Sequence, residues 1–157
     1  MAQPVELRDV LPTFVEAAGT EPSRPIDGRS LLSLVRNNGA GWREYIDLEH
    51  DVCYSPANHW NALTDGNWKY IFHALDGEEQ LFHLASDPYE LQDLAGDTSH
   101  EAELRRWRQR LVKHFAERGA PFLQNGKLGL RPKAMPHSPN FPHKSPWEKP
   151  LNQSQYS

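Results

Sequence analysis

The sequence predicts an α+β fold: a four-stranded antiparallel sheet packed against one long C-terminal helix, with two short helices before the sheet. Two turn signals support the sheet, because glycine-containing segments at 65–67 and 75–78 separate short apolar runs. A stripe at three- and four-residue steps supports the long helix, and it comprises Leu104, Trp107, Leu111 and Phe115.

Both short helices are predicted from local signals. Apolar residues recur at helical spacing over 10–18, and Gly19 follows as a plausible stop. Pro12 is compatible with this helix if it lies in the first turn. Ser30 is expected to cap a second helix over 31–35.

Four strands are expected to follow as a meander. The first covers 43–50, the second and third form a hairpin within 58–73, and the fourth covers 80–84. The hairpin tip, 65–67, allows a two-residue or a three-residue loop. Alternation places three aromatic residues of the third strand on one face: Trp68, Tyr70 and Phe72. That face is expected to be buried against the long helix.

The long helix is expected to begin at a capping box formed by Thr98 and Glu101 and to end at Gly119. Its expected length is about five turns. From Pro121 the sequence is rich in proline and poor in β-branched residues. Residues 121–157 are therefore expected to form an extended tail.

Composition argues against several classes of function. The net charge of the 157-residue chain is −4, so no basic excess indicates nucleic-acid binding. No stretch is long and apolar enough to span a membrane. The first residues lack the basic and apolar regions of a signal peptide. The single cysteine, Cys53, excludes an internal disulfide.

Several motifs occur in one order along the chain, at 9–19, 27–31, 63–71, 79–84 and 87–95. Their order and spacing resemble the C-terminal subdomain of the type I sulfatases, the arylsulfatase-like branch of the alkaline-phosphatase superfamily. The resemblance implies a sulfuric ester hydrolase acting on a sulfated carbohydrate. It divides the chain into an edge of the catalytic α/β domain (1–41), the sulfatase C-terminal subdomain (42–120) and the tail (121–157).

Nothing in the chain resembles the larger catalytic part of a sulfatase. The resemblance implies a formylglycine nucleophile made within Cys/Ser-x-Pro-x-Arg, whose geminal diol attacks sulfur and then collapses to release sulfate. Cys53 is followed by proline only at the third position and by no arginine, so we expect an ordinary thiol. The family's Ca²⁺ is expected in the missing catalytic part, its expected partner. A truncated reading frame, a gene-model fragment and one piece of a split protein all fit this pattern.

Four histidines fall on different predicted strands: His50, His59, His73 and His83. They show neither i, i+4 spacing nor a cysteine partner, so polar strand residues are favoured over zinc ligands. No catalytic and no metal-binding residue is predicted in this chain, and we expect it to be inactive alone.

The predicted substrate-binding residues flank the connection between the first two strands: Glu49, His50, Asn58, His59 and Trp60. In sulfatases, by the resemblance, this end of the small sheet faces the active-site cleft. Amide and imidazole groups suit sugar hydroxyls, and an indole suits the face of a pyranose. A polar loop without a binding role is the alternative.

Two other functions remain open at this stage. One is a free-standing interaction module without a catalytic partner. The other is the equivalent part of a related phosphatase or phosphonate hydrolase. For the whole enzyme, a periplasmic or secreted location is compatible with the resemblance.

Overall fold

The computed structural model describes residues 3–51 and 55–132. Cys53 and residues 133–157, on which two of the predictions fall, lie outside this part. The helices are α1 (Val10–Ala17), α2 (Leu31–Arg36) and α3 (Glu101–His114). The strands are β1 (Ile46–His50), β2 (Trp60–Thr64), β3 (Trp68–His73), β4 (Glu79–His83), β5 (Leu123–Gln124) and β6 (Lys127–Leu128). Strands β1 to β4 form one antiparallel sheet in chain order, so the predicted meander is confirmed.

Both N-terminal helices form where the local signals place them. Pro12 lies in the first turn of α1, and Gly19 follows the helix with φ +67°. The Ser30 hydroxyl accepts the N–H of Leu32 at 3.2 Å and caps α2. The six residues of α2 are too few to be stable alone, so packing against α1 must contribute.

The hairpin tip is closed by the carboxylate of Asp65. Its Oδ1 accepts the N–H groups of Asn67 and Trp68 at 2.9 and 2.8 Å. Gly66 takes φ +89°, which a side chain would disfavour. Three residues, 65–67, therefore separate the two strands.

Helix α3 covers the aromatic face of the sheet. Tyr70 and Trp107 are fully buried, Phe72 is 5% exposed, and Trp68 packs at the margin of the same cluster. The helix is also tied to β4, since Arg108 donates two hydrogen bonds, of 2.6 and 2.5 Å, to Glu79. This face forms the main core, as the alternation predicted.

The opposite face of the sheet is apolar as well, which the alternation did not predict. Its buried members are Ala62, Ile71 and Phe82. Leu48 and Trp60 pack beside them and remain half-exposed. The sheet therefore has a second, smaller buried apolar cluster on the side away from α3.

Some predicted boundaries shift. Strand β1 begins at Ile46 rather than at residue 43, because β2 ends opposite it at Thr64 and leaves earlier residues without a partner. Helix α3 has 14 residues, about one turn fewer than expected. A 3₁₀ turn at Thr98–His100 precedes it.

The predicted capping box is also replaced. The cap of the 3₁₀ turn is Asp97, whose carboxylate accepts the N–H of Ser99 at 2.9 Å. An aspartate one residue earlier therefore performs the role predicted for Thr98.

Packed structure continues past residue 120, where a tail was expected. Phe122 is 6% exposed and belongs to the main core. Arg118 and Arg131 stack on its ring, with guanidinium carbons 3.5 and 4.5 Å from the centroid. The small β5–β6 hairpin follows, so ordered packing extends to Arg131.

A buried carboxylate joins the helical segment to the sheet. Asp9 is fully buried, and both of its oxygens accept from Arg43 at 2.6 Å. The backbone N–H groups of Glu6 and Arg29 add bonds of 2.9 and 2.8 Å. Residues from three separate stretches thus meet at one charged group.

Gly28 permits this meeting. It takes φ +90°, and a Cβ built there would lie 2.1 Å from the carbonyl oxygen of Arg8. Because that contact is impossible for a side chain, only glycine lets Arg29 reach the carboxylate. This explains in physical terms why residue 28 is a glycine.

The Asp9 pair should make stability sensitive to acid. Burial alone raises the pKa of Asp9, but the hydrogen bonds from Arg43 and the backbone outweigh it and hold the pKa at about 2. Asp9 therefore stabilises the fold above the unfolded pKa of about 3.8, and this contribution, about 2 kcal/mol, is lost as pH falls towards 2. Urea unfolding across this pH range measures it.

Two variants provide the comparison. Asp9→Asn should lower the free energy of unfolding at pH 7 by about 3–5 kcal/mol, because Arg43 loses its bidentate partner and keeps only Glu6, at 3.5 Å. Asp27→Asn, at an exposed aspartate, should change it by less than about 0.5 kcal/mol. Equal effects of the two substitutions would contradict the role given to Asp9.

Candidate substrate-binding rim

His50 and Trp60 are half-exposed and form the aromatic part of the predicted site. They are directly opposite in the β1–β2 ladder, and their rings stack with centroids 5.7 Å apart and planes 18° apart. The His50 Nδ1 lies 2.8 Å from the Asn58 carbonyl, so Nδ1 donates to that oxygen. We name His50 and Trp60 the rim pair. It offers an aromatic surface and the second imidazole nitrogen of His50 to a ligand.

Glu49 points to the other side of the sheet. Neighbouring residues of a strand alternate, so Glu49 lies on the face that α3 covers. There its carboxylate accepts from Arg118 at 2.5 and 3.2 Å. The structure thus separates Glu49 from the rim pair, although the three residues are close in sequence.

His59 is buried rather than presented to solvent. It is 2% exposed, and its Nδ1 donates to the carbonyl of Arg131 at 3.1 Å. Its Nε2 lies 4.0 Å from the carboxylate of Asp51. Burial and the charge of Arg131 lower the pKa of His59 below its ordinary value. The side chain is therefore a neutral donor at pH 7, positioned to support the start of β2.

Arg131 is the residue that completes this support, and it was not predicted. It is 3% exposed, its side chain donates to Asn61, and its backbone N–H donates to Ala74 at 2.6 Å. We name His59, Asn61 and Arg131 the anchor cluster. Nothing in the sequence distinguishes Arg131, because it lies in the stretch expected to be an extended tail.

The described residues provide no metal centre. Among them, no group of three or more His, Cys, Asp or Glu side chains is close enough to hold an ion. His73 and His83 instead contact Gln80 and Ser86 at 2.9 and 2.7 Å. Each strand histidine thus has a different neighbour, and the donor set does not fit the Ca²⁺ of a sulfatase. In the same part of the chain, no helix is long and apolar enough to cross a membrane.

Comparison with known proteins identifies the class to which this fold belongs, the C-terminal regions of sulfatases. A family model described as N-sulphoglucosamine sulphohydrolase, C-terminal, matches residues 2–117. This range is most of the chain, so the chain belongs to that family.

Curated relatives agree with this assignment. The chain is 30% identical over 124 residues to an arylsulfatase of Clostridium perfringens, covering 79% of this chain and 25% of the relative. It is 41% identical over 97 residues to a choline-sulfatase of Rhizobium meliloti, and this match covers 59% of this chain and 18% of the relative. The chain thus spans about a quarter or less of these relatives.

Solved structures share the fold. One is the phosphonate monoester hydrolase of Silicibacter pomeroyi, with a TM-score of 0.61 and 25% identity, covering 78% of this chain and 27% of that one. A different protein, solved in complex with its substrate D-glucosamine-2-N,6-O-disulfate, has a TM-score of 0.60 and 25% identity. That match covers 72% of this chain and 24% of the other chain. The likeness again concerns one quarter of a larger chain.

The anchor cluster and the rim pair should respond differently to mutation. His59→Ala removes a buried donor and leaves the Arg131 carbonyl unsatisfied, so the free energy of unfolding should fall by about 1–3 kcal/mol. His50→Ala, at a half-exposed ring, should cost less than about 1 kcal/mol. Urea denaturation of both variants measures the difference, and equal losses would mean that His50 also supports the fold.

Proposed function

We propose that this chain is the C-terminal portion of a sulfatase acting on sulfate monoesters of a carbohydrate, in which it shapes substrate binding. The rim pair is the observation that supports this role. Its stacked rings present an aromatic face and a free imidazole nitrogen at one end of the sheet. Aromatic faces with a few convergent polar groups are typical of sugar sites.

Bond cleavage is assigned to a separate catalytic portion. Neither the formylglycine motif nor a set of calcium ligands is available among the residues described, and we expect both groups in that portion. There the formylglycine would supply the nucleophile and the Ca²⁺ would stabilise charge on sulfate. This chain contributes position and selection, and alone it is expected to be inactive.

The two N-terminal helices supply a surface for that partner. No residue of α1 is buried, and Leu11 and Phe14 are 56% and 67% exposed. Val35 of α2 is 64% exposed. Apolar patches of this kind mark interaction sites. We expect the catalytic portion to cover them in the whole enzyme.

A phosphonate or phosphate monoester hydrolase is the second candidate, because the chain shares its fold with a phosphonate monoester hydrolase. The rim pair does not distinguish the two, since it would contact the alcohol side of the substrate. Turnover of an aryl sulfate against a phenyl phosphonate by the joined enzyme separates them. A free-standing interaction module remains the alternative if the chain stays stable and monomeric alone.

In the enzyme joined to its catalytic portion, Trp60→Ala should weaken turnover of a carbohydrate sulfate and spare a small aryl sulfate. Losing a stacked indole costs about 1–3 kcal/mol, which is roughly tenfold to a hundredfold in kcat/KM. An aryl sulfate has no sugar ring to stack and should change by less than about threefold. His50→Ala should act in the same direction.

Tyr89→Ala is the matched control, since Tyr89 is an aromatic residue that is 81% exposed and lies outside the rim. It should leave both substrates unaffected. Equal losses on the two substrates for Trp60→Ala, together with a lower melting temperature, would show that Trp60 only supports the fold.

A further inference from the structure

A recess lies between α3 and the β5–β6 hairpin, with a volume of about 560 Å³. We name it the α3 groove. Arg108, Lys113 and Lys127 contribute its cations. Phe72, Val112 and Leu128 contribute apolar surface. The size is within the range of small-molecule sites.

The charge of the α3 groove contrasts with that of the whole chain, which is −4. Glu79, the carboxylate that lines the groove, is already engaged by both nitrogens of Arg108 and by the hydroxyl of Tyr70. Among the residues described, neither Lys113 nor Lys127 forms an ion pair. Two ammonium groups are therefore free to bind an anion.

A lysine in the last turn of a helix has a simpler explanation. Lys113 complements the negative end of the α3 dipole. This does not account for Lys127, which projects from the β5–β6 hairpin on the other wall of the groove. Cations on both walls over an apolar floor indicate a ligand with anionic groups and a weakly polar face.

The position of the α3 groove relates it to the rim. Trp60 lies opposite His73 in the β2–β3 ladder, and the adjacent residue, Phe72, forms part of the groove. The rim pair and the groove therefore lie at the same end of the sheet, on opposite faces. An oligomeric ligand bound at the rim pair needs only to pass around this end of the sheet to reach the α3 groove.

We propose that the α3 groove binds a sulfated carbohydrate, as a secondary subsite beyond the one at the rim. The identity of the ligand rests on the proposed function. Lys113 and Lys127 contact the anionic groups, the Gln109 amide reaches hydroxyls, and Val112 and Leu128 contact the C–H face of a ring. Neither the family match nor the relatives assign a site here.

Binding is measured on the chain itself, without any activity, so that its outcome is independent of the proposed catalysis. The probe is a heparin-derived hexasaccharide, titrated by isothermal calorimetry, beside its desulfated form and single-stranded DNA. Lys113→Gln with Lys127→Gln should weaken hexasaccharide binding about tenfold. Raising the salt concentration should weaken binding of the unaltered chain.

The matched control is Arg105→Gln with Arg106→Gln, on the same helix and with the same change of charge. These arginines pair with Glu101 and Glu103 and do not line the groove. The control should change affinity by less than about twofold. Melting curves verify that both double variants are folded.

Three results would overturn the proposal. The first is equal weakening by both double variants, which would indicate general charge attraction. The second is equally tight binding of the desulfated hexasaccharide or of single-stranded DNA. The third is no binding by a folded chain. Binding that depends on the two lysines would support the α3 groove as a site. If the enzyme formed with the catalytic portion then proved not to be a sulfatase, that second result would reject the proposed function without changing the first.

Discussion

The buried carboxylate of Asp9 is the interaction on which the arrangement of both halves of the chain depends. It accepts four hydrogen bonds, from Arg43 and from the backbone at Glu6 and Arg29. Leaving a buried carboxylate without its hydrogen-bond partners is costly, so these segments have little freedom to separate. The α1–α2 pair, which buries little surface by itself, is thereby held against the approach to β1. Its apolar residues remain outside, available to a larger partner.

Local patterns were enough to predict the elements that neighbouring residues determine. The Asp65-Gly66 turn, the alternation in β3 and the stripe of α3 depend on contacts within a few residues, and all three are confirmed. The second apolar face was missed because Ile71 and Phe82 alternate with residues that are equally buried. Alternation identifies two faces of a strand but does not decide whether one or both are covered.

The candidate site was harder to predict because its support is distant in sequence. The bond from His59 to Arg131 joins residues 72 positions apart, and the Asp9–Arg43 pair spans 34. No periodicity marks such a pair. Residues 49 and 50 at the end of β1 and residues 59 and 60 at the start of β2 were predicted as one group. Strand alternation separates Glu49 from His50, and burial separates His59 from Trp60. His50 and Trp60 form the half-exposed rim pair, His59 is buried, and Glu49 is exposed on the other face, where it pairs with Arg118. Whether the five predicted residues contact a substrate stays a prediction.

Joining the chain to a sulfatase catalytic portion tests its role most directly. The matched C-terminal quarter of the Clostridium perfringens arylsulfatase would be replaced by this chain, and turnover of an aryl sulfate measured. We expect the fusion to turn over the aryl sulfate. This chain alone, and the arylsulfatase lacking its C-terminal quarter, should show no turnover above a heat-denatured control. Turnover by the isolated chain would contradict its assignment as a non-catalytic part. A folded fusion without turnover would contradict its assignment to the C-terminal portion of a sulfatase.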